Sequence, residues 1–300
     1  MGKELANKYS VARALFDEAD KALGFSISQM CFAGSEEDLK QTANTQPAIL
    51  TCSVAVHRVL AEKGIQPDFV AGHSLGEYSA LVAAGALRFS DAVQLVRKRG
   101  QYMQEAVPAG QGAMAAIMGL SPAVVTEVCK RAANSEVCSP TNLNSPEQTV
   151  ISGHAGAVKR AVEIASQLGA KRAVMLAVSA PFHCALMMPA QERLENDLRQ
   201  TQFGPLQVPL VTNVDADTEN SGEEARDALV RQVSMPVRWE ESIRLLTDEG
   251  VNTFVEVGPG RVLVGLLRQI ERSVTALNVE DEKSLATTID KIAQSRADAA

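Results

Sequence analysis

Three residues in this chain have types and surroundings suited to chemistry: Ser74, His183 and Arg99. Ser74 lies in Phe69-Val70-Ala71-Gly72-His73-Ser74-Leu75-Gly76-Glu77. A short apolar run meets a Gly-x-Ser-x-Gly turn, and an alanine-rich segment with helical propensity follows. A serine on a sharp strand-to-helix turn is held in a strained backbone conformation with its oxygen exposed above the sheet. Gly72 and Gly76 carry no Cβ, so the arms of the turn can approach closely. The Leu75 N–H opens the following helix and points at an anion forming beside Ser74. A plain strand-to-helix turn with no chemistry is the competing reading of the same pentapeptide.

A serine hydroxyl needs a base. The chain has four histidines. His73 adjoins Ser74 but on a sharp turn points elsewhere. His57 and His154 fall in helical patterns, His154 near a cap. His183 follows a strand and Pro181-Phe182, which places it at a strand's C-terminal end, where α/β proteins build their sites. It is the best base, with a buried capping histidine as the alternative. No acid declares itself as its partner, because Glu192 and Glu195 belong to a helix. An amide or a carbonyl can orient the ring instead. Arg99 stands in Arg97-Lys98-Arg99-Gly100, near a helix end, where a basic cluster ordinarily faces water and complements the dipole.

The elements that must position these residues alternate. Apolar spacing predicts a helix over 3–23 stopped by Gly24, a helix start at Ser35, and a longer helix opened by Pro47 and closed by Gly64. Helices follow over 75–84 and 90–105. After Pro108-Ala109-Gly110-Gln111-Gly112 the pattern becomes β-α-β-β-α-β, with strands at 113–119, 137–143, 149–152 and 172–178, which is the ferredoxin-like order. Ser179-Ala180-Pro181-Phe182-His183-Cys184 returns the chain to the larger unit. Helices then cover about 184–200, 223–233, 238–249 and the stretch after Gly258-Pro259-Gly260. Strands cover 209–214, 253–257 and 275–279, and the tail 295–300 frays. Gly258-Pro259-Gly260 can approach a phosphate or can be a structural turn. The alternation argues for a mainly parallel sheet. The expected fold class is α/β, with a large subdomain over 1–108 and 180–300 and an inserted ferredoxin-like small subdomain over 109–179.

The 300 residues suffice for a sizeable core, and 46% are apolar. A net charge of -7 argues against nonspecific nucleic-acid binding, which needs a basic face. The five cysteines are odd in number and lack Cys-x-x-Cys spacing, so neither a disulfide framework nor a zinc site is expected. No signal segment or apolar run long enough to span a bilayer is visible. The chain reads as a soluble, cytoplasmic protein with reduced thiols.

Several stretches resemble the malonyl-CoA:acyl carrier protein transacylase family. They are Thr45-Gln46-Pro47-Ala48, GHSLGEYSALVAAG at 72–85, RGQYMQEAVPAGQGAMAAI at 99–117, NSPEQTVISG at 144–153, PFHCALM at 181–187 and EVGPGRVL at 256–263. The resemblance spans nearly the whole chain and implies an α/β-hydrolase-like large subdomain carrying the ferredoxin-like one. It implies that Ser74 is acylated, that His183 is general base and then general acid, and that Arg99 holds the malonyl carboxylate. It further implies that Gln232 accepts a hydrogen bond from the histidine in place of an acid, and that Met103 and Phe182 line the acyl pocket. Malonyl-CoA and acyl carrier protein are the implied partners, with no metal or redox cofactor, no nucleic acid and no membrane, for a monomer.

Family members begin with a strand and a Gly-Gln-Gly loop whose glutamine supplies a second oxyanion N–H. This chain starts at Met1-Gly2-Lys3-Glu4-Leu5, where the next turn of the family would end. A start codon assigned at an internal methionine accounts for this, as does a shortened variant. The expectation is that an upstream extension would raise stability and turnover without changing substrate preference. Three other readings stand beside malonyl transfer. One is a serine hydrolase or thioesterase, which has no use for a buried guanidinium. Another is a non-catalytic scaffold that binds carrier protein. The third is a trans-acting polyketide acyltransferase.

Overall fold

The computed structural model describes residues 1–178 and 180–298. Five helices come first: α1 (Lys3–Lys8), α2 (Ser10–Leu23), α3 (Ile27–Ala33), α4 (Glu36–Lys40) and α5 (Thr42–Glu62). The helix expected over 3–23 is two, because Tyr9 is extended at φ -115° and ψ 118°. That break sets the Tyr9 ring beside the Lys8 and Lys63 ammonium groups, 5.9 and 5.5 Å from its centroid. Gly24 ends α2 in the left-handed conformation. Helix α3 was not anticipated, although Ser26 caps it by accepting the Gln29 N–H, a Ser-x-x-Gln signal present in the sequence.

Pro47 does not open α5; the helix begins at Thr42 and carries the proline inside. Proline lacks the N–H that would reach the carbonyl four residues back. That carbonyl, on Ala43, accepts from Arg97 Nη1 at 2.7 Å instead. The interruption is thus compensated by the helix that bears Arg99, and Gln46 is kept on a regular, buried turn.

The segment around Ser74 follows as β1 (Val70–Ala71), the turn, and α6 (Gly76–Ala83), and then α7 (Phe89–Glu105). The middle of the chain forms β2 (Gly112–Met118), α8 (Pro122–Ala133), β3 (Cys138–Ser145), β4 (Gln148–His154), α9 (Ala155–Gln167) and β5 (Arg172–Met175). These four strands make one antiparallel sheet in the order β3-β4-β2-β5, the ferredoxin-like arrangement. Side chains alternate across a strand. Ala115 and Ile117 of β2 and Ile151 of β4 therefore pack on Val125, Val128, Val158 and Ala161 of α8 and α9. Met114, Ala116 and Val150 face the other way and meet Phe182. One face of the small sheet thus carries its own core, and the other leans on the residue next to His183.

The chain returns through a 3-10 turn (Ala185–Met187) to α10 (Met188–Gln200), β6 (Leu210–Val211), β7 (Thr218–Glu219), α11 (Gly222–Gln232), α12 (Trp239–Asp248), β8 (Thr253–Val257), α13 (Val262–Ile270), β9 (Thr275–Val279) and α14 (Glu282–Asp298). Ser179, the expected junction, lies outside the described residues, as do 299 and 300 of the tail. Ser295 to Asp298 continue α14 instead of fraying. Strand β1 runs parallel to β6, with Val70 opposite Leu210, and β6 is antiparallel to β7. Strands β8 and β9 form a second parallel pair. Strand β6 is shorter than the expected 209–214 because Asn213 leaves the ladder to give its N–H to Glu77 Oε2 at 3.0 Å. The two subdomains are sewn together by backbone: Val237 N–H donates to Thr141 O and Leu143 N–H to Val237 O, each at 2.9 Å.

Candidate active site

The turn before α6 is as tight as its glycines allow. A Cβ on Gly72 would fall 2.0 Å from the carbonyl carbon and oxygen of Gly76. A Cβ on Gly76 would meet nothing within 4 Å. Gly72 is therefore the glycine that the close approach requires, and Gly76 supplies the backbone it passes. Ser74 takes φ 52°, the left-handed region that costs a non-glycine residue roughly 1–3 kcal/mol. Asn213 staples the strained turn from just after β6: its Oδ1 accepts the Ser74 N–H at 2.6 Å and its Nδ2 donates to Gly72 O at 2.7 Å. The Gly76 and Glu77 amides donate to His73 O and Ser74 O. The Leu75 N–H has no acceptor among the described residues.

His183 is also left-handed, at φ 60°, and is 4 % exposed. Its Nε2 lies 2.7 Å from Ser74 Oγ and its Nδ1 2.8 Å from the main-chain oxygen of Gln232. A carbonyl only accepts, so Nδ1 carries the proton and Nε2 presents a lone pair to the serine hydroxyl. Burial, and after it the Arg99 charge, pushes the imidazole down to about 3, so it is neutral and ready to accept. The loop reaches this place because Pro181 crosses the start of β2 at Gly112, where a Cβ would strike the proline ring at 2.4 Å.

Gln232 was expected to accept a hydrogen bond from the histidine. Its main-chain carbonyl does so, as the last residue of α11, and its side-chain amide is used elsewhere. Oε1 accepts from Arg99 Nη2 at 2.9 Å, and Nε2 donates to Ser74 O and to Glu77 Oε2, each at 2.9 Å. Arg99 is 2 % exposed, not a solvated helix-end charge. Its Nη1 donates to Gln46 Oε1 at 2.8 Å and its Nη2 to Ser74 Oγ at 3.0 Å, and the guanidinium lies over Tyr78, 5.6 Å from the ring centroid. Its Nε has no partner, and no carboxylate bridges to it, among the described residues. Burial holds its pKa below the usual arginine value.

Ser74, Leu75, Arg99, Met103, Phe182 and His183 line one cavity of about 300 Å³, together with Gln46, Ile49, His73 and Val178. Gln232 is not in its wall and acts from behind. A wider hollow of about 550 Å³, bounded by Glu4, Tyr9, Lys63 and Glu282, contains none of these groups. His73 bonds Asn144 Oδ1 through Nε2 at 2.8 Å and lies 5.5 Å from the Trp239 ring, turned from the serine as expected. His154 caps α9, where its Nδ1 takes the Val137 N–H at 2.9 Å. In the Gly258-Pro259-Gly260 turn, Glu280 Oε2 already occupies the Gly260 N–H at 3.0 Å, so the turn is structural. All five cysteines are free. Among the described residues no group of three or more His, Cys, Asp and Glu side chains could hold a metal, and no helix is long and apolar enough to cross a membrane.

Sequence reasoning missed Gln46, Glu77, Asn144 and Asn213 as parts of the site. Gln46 and Glu77 stood inside motifs already singled out. Nothing local marked Asn213, which is distant in sequence from the turn it holds.

The acyl transferase domain family matches residues 1–296. A malonyl CoA-acyl carrier protein transacylase of Bacillus subtilis (strain 168) is 48% identical over 293 residues, covering 97% of this chain and 92% of the relative. The protein of that name from Escherichia coli (strain K12) is 47% identical over 288 residues, covering 96% and 93%. Among solved structures, a malonyl-transacylase in complex with a type II polyketide acyl carrier protein superposes with a TM-score of 0.95 at 47% identity, covering 97% of this chain and 94% of that one. The chain belongs to the acyl transferase domain family, and within it to the malonyl CoA-acyl carrier protein transacylases.

Proposed function

We propose that the chain moves a malonyl group from malonyl-CoA to the phosphopantetheine thiol of an acyl carrier protein through a malonyl ester on Ser74. The observation that carries this reading is Arg99. A guanidinium buried beside the nucleophile and hydrogen-bonded, among the described residues, only to neutral oxygens has no carboxylate in direct contact. An acyl group ending in a carboxylate supplies one, and the planar fork suits that carboxylate. In a malonyl ester the carboxylate lies only one methylene beyond the ester carbonyl, within reach of a cation that already touches Oγ.

Neutral His183 takes the Ser74 proton at Nε2 as Oγ attacks the thioester carbonyl. The Leu75 N–H faces the oxyanion. The C–S bond breaks, and the imidazolium returns its proton to the departing CoA sulfur. The carrier thiol then gives its proton to Nε2, attacks the serine ester, and leaves as the malonyl thioester with Ser74 Oγ reprotonated. Met103 and Phe182 wall the acyl pocket. The chemistry calls for no metal or redox cofactor. The residues divide into 1–108 with 180–300, which carry nucleophile, base and cation, and 109–179, whose sheet backs Phe182. The enzyme acts as a cytoplasmic monomer.

The test is to supply malonyl-CoA and phosphopantetheinylated carrier protein and follow both products. Malonyl-carrier is expected in stoichiometric exchange for CoA. Free malonate formed at the same rate with or without carrier would instead make the protein a thioesterase.

A further inference from the structure

Glu77 is fully buried on the first turn of α6, carries a titratable group, and has no place in the steps above. Its two oxygens are used unequally. Oε2 accepts the Asn213 N–H at 3.0 Å and Gln232 Nε2 at 2.9 Å; Oε1 has no partner among the described residues. Each of those bonds leads to a group in the cavity. Asn213 holds the Ser74 N–H and the Gly72 carbonyl. Gln232 holds Arg99 through Oε1 and His183 through its main-chain oxygen.

The sense of the Gln232 amide matters. An ionised carboxylate only accepts and a guanidinium only donates. With Glu77 on one side and Arg99 on the other, one orientation satisfies both. A flipped amide would set Oε1 against Glu77 Oε2 and Ser74 O, and set NH₂ against Arg99. We infer that Glu77 is a positioning residue for acyl selectivity: through one oxygen it orients the Gln232 amide that aims Arg99, and anchors the Asn213 segment that holds the Ser74 turn. This rests on the reading of Arg99 as the holder of the malonyl carboxylate.

The charge state of Glu77 is within experimental reach. Burial pushes its carboxyl up to about 7, opposed by the bonds from Gln232 and Asn213 and by the charge of Arg99 on α7. Asp215, after β6, raises it further, and the neighbouring Tyr78 on α6 interacts with the same charge. The ionised form is the one that forbids the flip.

The test compares Glu77→Ala, Glu77→Gln and Arg99→Ala in the full chain, with kcat/KM measured for malonyl-CoA and acetyl-CoA from pH 5.5 to 8.5. A glutamine at 77 can still take both N–H groups on its amide oxygen. Glu77→Ala is expected to slow malonyl transfer about 10–100-fold, the loss of a charged hydrogen-bond anchor. It should slow acetyl transfer less, so malonyl preference falls. Glu77→Gln should keep malonyl transfer within about fivefold of the parent at pH 8 and lose the acid-side limb expected near pH 7 in the parent. An alanine variant that slows both acyl groups equally, or neither, overturns the inference. So does a glutamine variant as impaired as alanine, or one that retains the limb; the glutamine outcomes remain decisive if alanine prevents folding. If Arg99→Ala itself keeps the malonyl preference, the reading of Arg99 has failed, which is a different result from Glu77→Ala keeping a preference that Arg99→Ala loses.

Discussion

Arg99 Nη2 donates to Ser74 Oγ across 3.0 Å, so a cation that is 2 % exposed touches the nucleophile directly. The contact joins α7 to the turn before α6, and Gln46 and Gln232 accept from the same guanidinium. Burial lowers the arginine pKa and the arginine charge helps to lower that of His183. Ser74, His183 and Arg99 are therefore electrostatically linked, and no carboxylate among the described residues touches the guanidinium directly.

Replacing Arg99 with alanine removes the guanidinium. Loss of a charge-assisted contact to a desolvated carboxylate is expected to cost about 2–5 kcal/mol, and a neutral acyl chain loses nothing comparable. The ratio of kcat/KM for malonyl-CoA over acetyl-CoA should fall by at least about thirtyfold in Arg99→Ala. An unchanged ratio would show that the guanidinium serves only the resting structure, through Gln46 and Gln232.

The two glycines of the turn should behave differently. A Cβ at 72 meets Gly76 backbone at 2.0 Å, and backbone cannot step aside as a side-chain tip can. Gly72→Ala is expected to destabilise by about 3 kcal/mol or more. A Cβ at 76 enters open space on a helical residue, where alanine lowers the entropy of the unfolded chain, so Gly76→Ala should stay within about 1 kcal/mol of the parent. Denaturant midpoints of the two variants check this, and equal losses would contradict the geometry.

Two buried groups give stability opposite slopes in pH. The His183 imidazole is depressed from 6.5 to about 3, so as pH falls through 6.5 the unfolded chain takes a proton that the folded site refuses. That contribution is present above pH 6.5 and is lost on the way to about 3. The Glu77 carboxyl is raised from 4.5 to about 7, so between those values the folded site keeps a proton the unfolded chain has released, and stability from this group falls as pH rises. From pH 7 to pH 5, His183→Gln should lose less stability than the parent, and Glu77→Gln should lose more. Denaturation curves at the two pH values for the three proteins test both signs.

The sequence carried the local parts of this site well. Gly72-x-Ser74-x-Gly76 foretold a strained serine before a helix, and Pro181-Phe182-His183 foretold a histidine on a loop within reach of it. The ferredoxin-like unit was legible because its strands and helices alternate with clear punctuation. Pro47 misled because its missing N–H was repaired from outside its helix, by Arg97, and no local rule sees that. Gln232 stands where an acceptor for His183 was expected, and the oxygen it offers is its main-chain one, which any residue at the end of α11 would present. Asn213 and Glu77 stayed invisible because their roles come from the loop after β6 and a helix brought together across 136 residues of chain. Arg99 itself read as an ordinary helix-end charge until resemblance, and then burial, gave it a different place.

The central claim is that Ser74 carries the acyl group, and the most direct measurement is mass spectrometry of the protein after brief exposure to malonyl-CoA alone, with peptide mapping. One malonyl group should be found per chain, on the peptide containing Gly72-His73-Ser74-Leu75-Gly76, removed by phosphopantetheinylated carrier protein and absent from Ser74→Ala. An adduct mapped to another residue, or a Ser74→Ala protein that still becomes malonylated or keeps its full transfer rate, would contradict the account.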